Sequence, residues 1–215
     1  MPKKFNITGL CLPARHYMAD ISEKLAQVLV LVEEGAYFAI SRPRQYGKTT
    51  MLTSIARALQ YSEQYMVFSI SFEGLGGTEF SSSKEFCAAF LHLLERQAKS
   101  QQLIEVADFL REAGARTERF IALSGAITDL IELAGKRVVL LVDEVDKSSN
   151  NQLFLDFLGL LRHKFLNRDN PADYTFHSVV LAGVHDVKTL KAKLRADEEA
   201  KQNSPWNIAA EFKVV

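Results

Sequence analysis

The sequence predicts a doubly wound α/β domain, with helices on both faces of a mostly parallel sheet, and three observations carry that expectation. Short runs of strand type alternate with segments of helical spacing along most of the chain. One run, Val138 to Val142, is five consecutive aliphatic residues without polar alternation, as suits a parallel strand covered on both faces. A short loop, Arg42 to Gly47, joins the first strand directly to a helix, the arrangement of a β-to-α turn in such a sheet.

Taken in order, Ile21, Leu25, Val28, Leu29 and Val32 recur at helical spacing, and Gly35 ends that helix. Tyr37 to Ile40 is a short buried strand, stopped before Pro43, which cannot continue a ladder. From Lys48 to Leu59 the helix period returns, and Met66 to Phe72 is a second strand closed by Gly74, Gly76 and Gly77. Ser82 with Glu85 forms a capping-box pattern opening a helix to about Ala98, with Phe86, Ala89, Phe90 and Leu93 inward. Leu103 to Ala113 and Glu118 to Ala134 read as two more helices, the second stopped by Gly135. After the Val138 to Val142 strand come a helix from Leu153 to Phe165 and a strand from His177 to Ala182. Val187 to Arg195 reads as a basic helix, and Trp206 to Val215 as a source of one last strand.

At 215 residues, 47% apolar and 24% charged, the chain matches one ordinary globular domain. Lys plus Arg and Asp plus Glu both number 26, so no overall field draws it to nucleic acid or anionic lipid. Cys11 and Cys87 form no C-x-x-C pair and read as buried thiols, and the five scattered histidines give no zinc spacing. No signal-length apolar stretch and no run of the ~20 residues a membrane span needs is present, so the expected compartment is the reducing cytoplasm.

The chemistry lies in two motifs. R-P-R-Q-Y-G-K-T-T, Arg42 to Thr50, ends in the G-K-[S/T] of a phosphate-binding loop and falls where a helix N-terminus favours an anion. Pro43, Arg44, Gln45, Tyr46, Gly47, Lys48, Thr49 and Thr50 are therefore candidate nucleotide-binding residues. Lys48 is placed to reach the phosphates as a point charge, and the Thr49 hydroxyl to ligate Mg²⁺. The full pattern places a glycine where this chain has Arg42, so the loop entry must suit an arginine. The second motif is V-V-L-L-V-D-E-V-D, in which Asp143 leaves a buried strand and Glu144 follows. Asp alone at a strand end is commonly a cap. An Asp-Glu pair facing a phosphate loop across the carboxyl ends of a parallel sheet fits metal binding by Asp143 and water polarisation by Glu144. At the end of the following strand, His185 is the candidate γ-phosphate-sensing group and Asp186 the next.

With these residues in view, the chain resembles the bacterial AAA-ATPase-like family, close to the archaeal-type and signal-transduction ATPases. The resemblance rests on F-N-I-T-G-L-C-L-P at Phe5 to Pro13, H-Y-M-A-D-I-S-E-K-L at His16 to Leu25, and R-P-R-Q-Y-G-K-T-T. It continues through L-L-V-D-E-V-D-K, L-A-G-V-H-D-V-K-T-L and S-P-W-N-I-A at Ser204 to Ala209. It implies a RecA-like, additional-strand P-loop NTPase core with strand order 5-1-4-3-2, and ATP with Mg²⁺ as the bound species. It also implies Tyr17, Met18 and Asp20 near the adenine, although core packing would explain Tyr17 and Met18 equally. Members usually continue into a helical lid and often a nuclease-like domain, so residues 1–215 are expected to be a single ATPase core ending before the lid. The expected activity is Mg²⁺-dependent ATP hydrolysis driving or gating a switch, with a protein partner or self-association. Two alternatives stand beside it: a nucleotide-binding switch with negligible hydrolysis, and a DNA-associated module using Lys188, Lys191, Lys193 and Arg195.

Overall fold

The computed structural model describes residues 3–5, 11–12, 14–17, 19–43, 46–145, 152–183 and 210–211. The basic helix expected over 187–195, with Lys188, Lys191, Lys193 and Arg195, lies outside them, as do His185 and Asp186. In chain order the elements are α1 (Ser22–Glu33), β1 (Tyr37–Ser41), α2 (Lys48–Gln60), β2 (Tyr65–Ser71), α3 (Ser83–Ser100), α4 (Ile104–Arg116) and α5 (Phe120–Ala134). They continue with β3 (Arg137–Asp143), α6 (Gln152–Leu166), β4 (Ser178–Gly183) and β5 (Ala210–Glu211). All strands pair in parallel in the order β2-β3-β4-β1-β5, which is the expected order read from the other edge.

Strand periodicity divides the interior into two cores. Val138, Leu140 and Val142 of β3 face α3, α4, α5 and α6, whereas Val139 and Leu141 face α1 and α2. The first core is aromatic: Phe72, Phe86, Phe90 and Phe157 are fully buried, with Phe86 and Phe90 centred 5.3 and 4.8 Å from Phe157. Each such ring contributes ~1.5–3 kcal/mol by leaving water. The second core is aliphatic, built from residues such as Val28, Ile55, Leu141 and Val180. This parity puts Asp143, two positions beyond Leu141, on the α2 side of the sheet.

Element boundaries follow local chemistry. The Ser82 hydroxyl accepts the Glu85 N–H at 3.2 Å, capping α3 as expected. Gly135 ends α5 in the left-handed region at φ 57°. Gly35 stands at φ +70° after α1, where an added Cβ would meet the His177 main-chain oxygen at 3.2 Å. Three expectations are corrected. Phe72 belongs to a 3₁₀ turn rather than to β2, because the Ser71 hydroxyl accepts the Glu73 N–H and turns the chain. Within α3 the fully covered positions are Phe86, Cys87, Phe90, Leu91, Leu94 and Ala98, whereas Ala89 is only half-buried; Leu93, also half-buried, packs against that core as expected. Cys87 is buried, and that burial pushes its thiol up to about 11, but Cys11 is only half-buried. Among the described residues no helix is long and apolar enough to cross a membrane.

Candidate functional site at the carboxyl ends of the strands

The loop between β1 and α2 is entered by an extension of the sheet. The Arg42 N–H donates to the Gly183 carbonyl at 3.0 Å, one residue past the Ser41–Gly183 register pair. Among the described residues only Gln102 and Glu144 have positive φ without being glycine, so Arg42 occupies a backbone that does not require glycine. That resolves the departure at the loop entry. Pro43 is exposed and Tyr46 is 62% exposed, while Arg44 and Gln45 lie outside the described residues. Gly47 is the N-cap of α2 at φ +76°. A Cβ there would meet nothing within 4 Å, so the left-handed backbone, not space, calls for glycine.

Because the N-cap is glycine, no side chain caps the first N–H groups of α2, and they remain available to an anion. Lys48 is buried, yet its Nζ donates to the main-chain oxygens of Arg42 and Pro43, at 3.0 and 3.2 Å. The ammonium therefore rests on the loop's own carbonyls, contacts that a phosphate could replace. Thr49 is exposed at the same turn, and its hydroxyl donates to Asp143 Oδ2 at 2.7 Å. Thr50 points elsewhere: its Oγ1 accepts the Cys11 N–H at 3.4 Å, tying the N-terminal segment to α2.

Asp143, at the end of β3, is 8% exposed. Its Oδ1 accepts the Glu144 N–H at 2.9 Å while Oδ2 takes the Thr49 hydroxyl. Glu144 is half-buried and sits at φ +56°, a left-handed conformation uncommon for a side chain of this kind. The backbone thus leaves the strand direction at Glu144, and the two carboxylates cannot follow the simple up-and-down alternation of a strand. Among the described residues no group of three or more His, Cys, Asp or Glu gathers for a metal. The oxygen pair Thr49–Asp143 nevertheless suits a hard cation that takes its remaining ligands from water and phosphate, as Mg²⁺ does.

The N-terminal segment is only partly in view. Tyr17 is 55% exposed with its ring 5.0 Å from that of Phe5, so it is not a core residue, and Met18 lies outside the described residues. The Asp20 carboxylate accepts the Ser22 N–H at 2.9 Å at the start of α1. Hydrogen bonds from the Ser22 side chain and main chain hold the Asp20 carboxyl below its usual range. A groove of about 640 Å³ runs from Thr49 and Asp143 between α2 and α3, and Ser71 and Arg96 also line it. Neither was foreseen in the sequence. Ser71 stands in register with Asp143, a relation that strand alignment could have found, whereas nothing local marks Arg96.

A protein of Azotobacter chroococcum mcd 1, described as an uncharacterized protein in the vnfD 5' region, is 30% identical over 141 residues. That alignment covers 58% of this chain and 25% of the relative, so it takes in about a quarter of the relative's length. Residues 13–210 match the AAA-like domain, a span that includes the Gly47–Lys48–Thr49 turn, β3 and the strand at Ala210. The chain belongs to the AAA-like domain family and is a module of the nucleotide-binding NTPase type.

Proposed function

We propose that this protein binds ATP with Mg²⁺ at the N-terminus of α2 and hydrolyses it to drive or gate a conformational switch that a protein partner or a second copy reads. The observation that carries the reading is the Thr49 hydroxyl donating to Asp143 Oδ2 at 2.7 Å, directly beside a lysine that donates to two loop carbonyls. In this reading Lys48 exchanges those carbonyls for phosphate oxygens, and Thr49 and Asp143 hold the cation. Mg²⁺ supplies neutralising charge for the phosphate oxygens when bound. Glu144, which follows Asp143 at a left-handed turn of the backbone, takes the proton of the attacking water as general base. His185, just beyond β4, is proposed to sense the γ-phosphate, and Tyr17 with Met18 to border the adenine.

The test is a paired substitution. Glu144→Gln is expected to bind Mg·ATP as tightly as the parent and to lose hydrolysis by ~10²-fold, the usual scale for general-base catalysis. Asp143→Asn is expected to weaken only the Mg²⁺-dependent part of the affinity. Calorimetric titration with and without Mg²⁺, alongside phosphate release, separates the two roles. Equal loss of binding in both variants contradicts the assignment.

A further inference from the structure

β2 ends the sheet on one side, and its backbone shows which groups face outward. The Arg137 N–H donates to the Gln64 carbonyl at 3.0 Å, so the main chain of Gln64 and of every second residue after it turns toward β3. Tyr65, Val67, Ser69 and Ser71 therefore present their N–H and C=O groups to the open edge. Two of these groups are already satisfied: the Tyr65 N–H donates to the Ser62 carbonyl at 3.4 Å, and the Gln101 side-chain amide donates to the Val67 carbonyl at 2.9 Å, taking the place of a neighbouring strand's N–H. At Ser69 no such partner is present among the described residues. Ser69 and Ser71 line the 640 Å³ groove, with Thr53 on the α2 wall and Arg96 and Gln97 on the α3 wall. Arg96 is exposed and has no ion-pair partner among the described residues.

We propose that this edge receives an extended segment of a partner protein, which adds beside β2 as a further strand through Ser69 and places a carboxylate on Arg96. Outward N–H and C=O groups give main-chain affinity to any extended peptide, and flanking pockets choose its side chains. Thr53, Ser69, Ser71 and Gln97 supply polar groups along the groove and Leu52, Ile70 and Leu93 apolar ones, so it suits a segment that carries both kinds of side chain. Arg96 supplies a planar fork for a carboxylate. The groove begins at Thr49 and Asp143, so the docked strand would lie beside the site described above. Its binding groups are separate from that site and can be tested without nucleotide.

A displayed library of random heptapeptides is selected on the full chain in nucleotide-free buffer, and enriched peptides are synthesised and titrated by fluorescence anisotropy. The expected peptides carry one Asp or Glu at a fixed position. Ser69→Pro removes an outward N–H without touching the ladder to β3, the one kind of strand position that tolerates proline, and is expected to weaken binding at least tenfold. Because that variant could misfold, Arg96→Glu at an exposed position serves as the second: it is expected to lose the acidic peptide and to bind a version with Lys in place of the acid. No enriched peptide, enrichment without an acid, or unchanged affinity in Arg96→Glu overturns the proposal. A concentration-dependent dimer of the parent that Ser69→Pro abolishes would overturn the partner assignment in favour of a second copy of this chain.

Discussion

Among the described residues two lysines are buried, one at the loop end of the sheet and one in the helical layer. Lys48 is 6% exposed and Lys164 is wholly covered. Lys48 donates to two main-chain carbonyls of the loop between β1 and α2. Lys164, on α6, donates to the Thr128 hydroxyl at 2.8 Å and to the Ser124 hydroxyl at 3.4 Å, both on one face of α5. The Thr128 hydroxyl is in turn within reach of the carbonyls of Ala172 and Tyr174, so this network ties α5 to the chain before β4. Burial of the ammonium pushes the Lys164 pKa down, partly offset by Asp173 and Asp129. A buried cation alone therefore does not mark a ligand site. What distinguishes Lys48 is that its acceptors are main-chain carbonyls of a loop, at the turn where Thr49 meets Asp143.

The largest expected effect tests that distinction directly. Lys48→Ala is expected to reduce ATP affinity by ~100-fold, since a hydrogen bond to a charged group is worth about 1.5–3 kcal/mol and each 1.4 kcal/mol is a factor of ten. Its thermal stability should stay close to that of the parent. Unchanged affinity by calorimetry would erase the contrast between the two lysines.

Lys164→Met should do the reverse. ATP affinity is expected to hold, and stability to stay level or rise by ~1–2 kcal/mol, because an apolar chain of similar length removes the cost of covering a charge. Thr128 keeps its carbonyl partners in that variant. The pH dependence sharpens the point. With the folded pKa below the ordinary 10.5, the unfolded chain binds more protons in the interval between them, so the parent gains stability as pH rises toward 10.5. Urea denaturation across that interval should show the slope in the parent and its loss in Lys164→Met. A variant that loses more than ~2 kcal/mol would show Lys164 to be a well-paired ammonium instead.

The smallest effect concerns the loop entry. Arg42→Gly is expected to change stability by no more than ~1 kcal/mol, because the Arg42 N–H that bonds Gly183 belongs to the backbone and survives the substitution. ATP affinity should also persist. A large loss of affinity on calorimetry would assign the Arg42 side chain to the phosphates and place it with Lys48.

By itself the sequence determined the two helical layers about a parallel sheet, because parallel strands buried on both faces must be uniformly apolar, as Val138 to Val142 are, while the order of strands was implied by the family resemblance. It determined the turn at Gly47 too, since only glycine takes that left-handed backbone without cost before a helix. The Ser82 cap was legible for a similar reason, its partner being three residues away. Only the tertiary structure decided what lies between elements far apart in the chain. Thr49 and Asp143 are 94 positions apart, and their hydrogen bond exists because the parity of β3 sends Asp143 to the α2 side. The left-handed turn at Glu144 falls on a residue type that carries no local signal for it. Nothing in the helical spacing from Leu153 to Phe165 singles out Lys164, and its burial follows from where α5 and the chain before β4 close over it. Local rules govern a backbone's choice of conformation, but which side chains meet is settled by the packing of helices on a shared sheet.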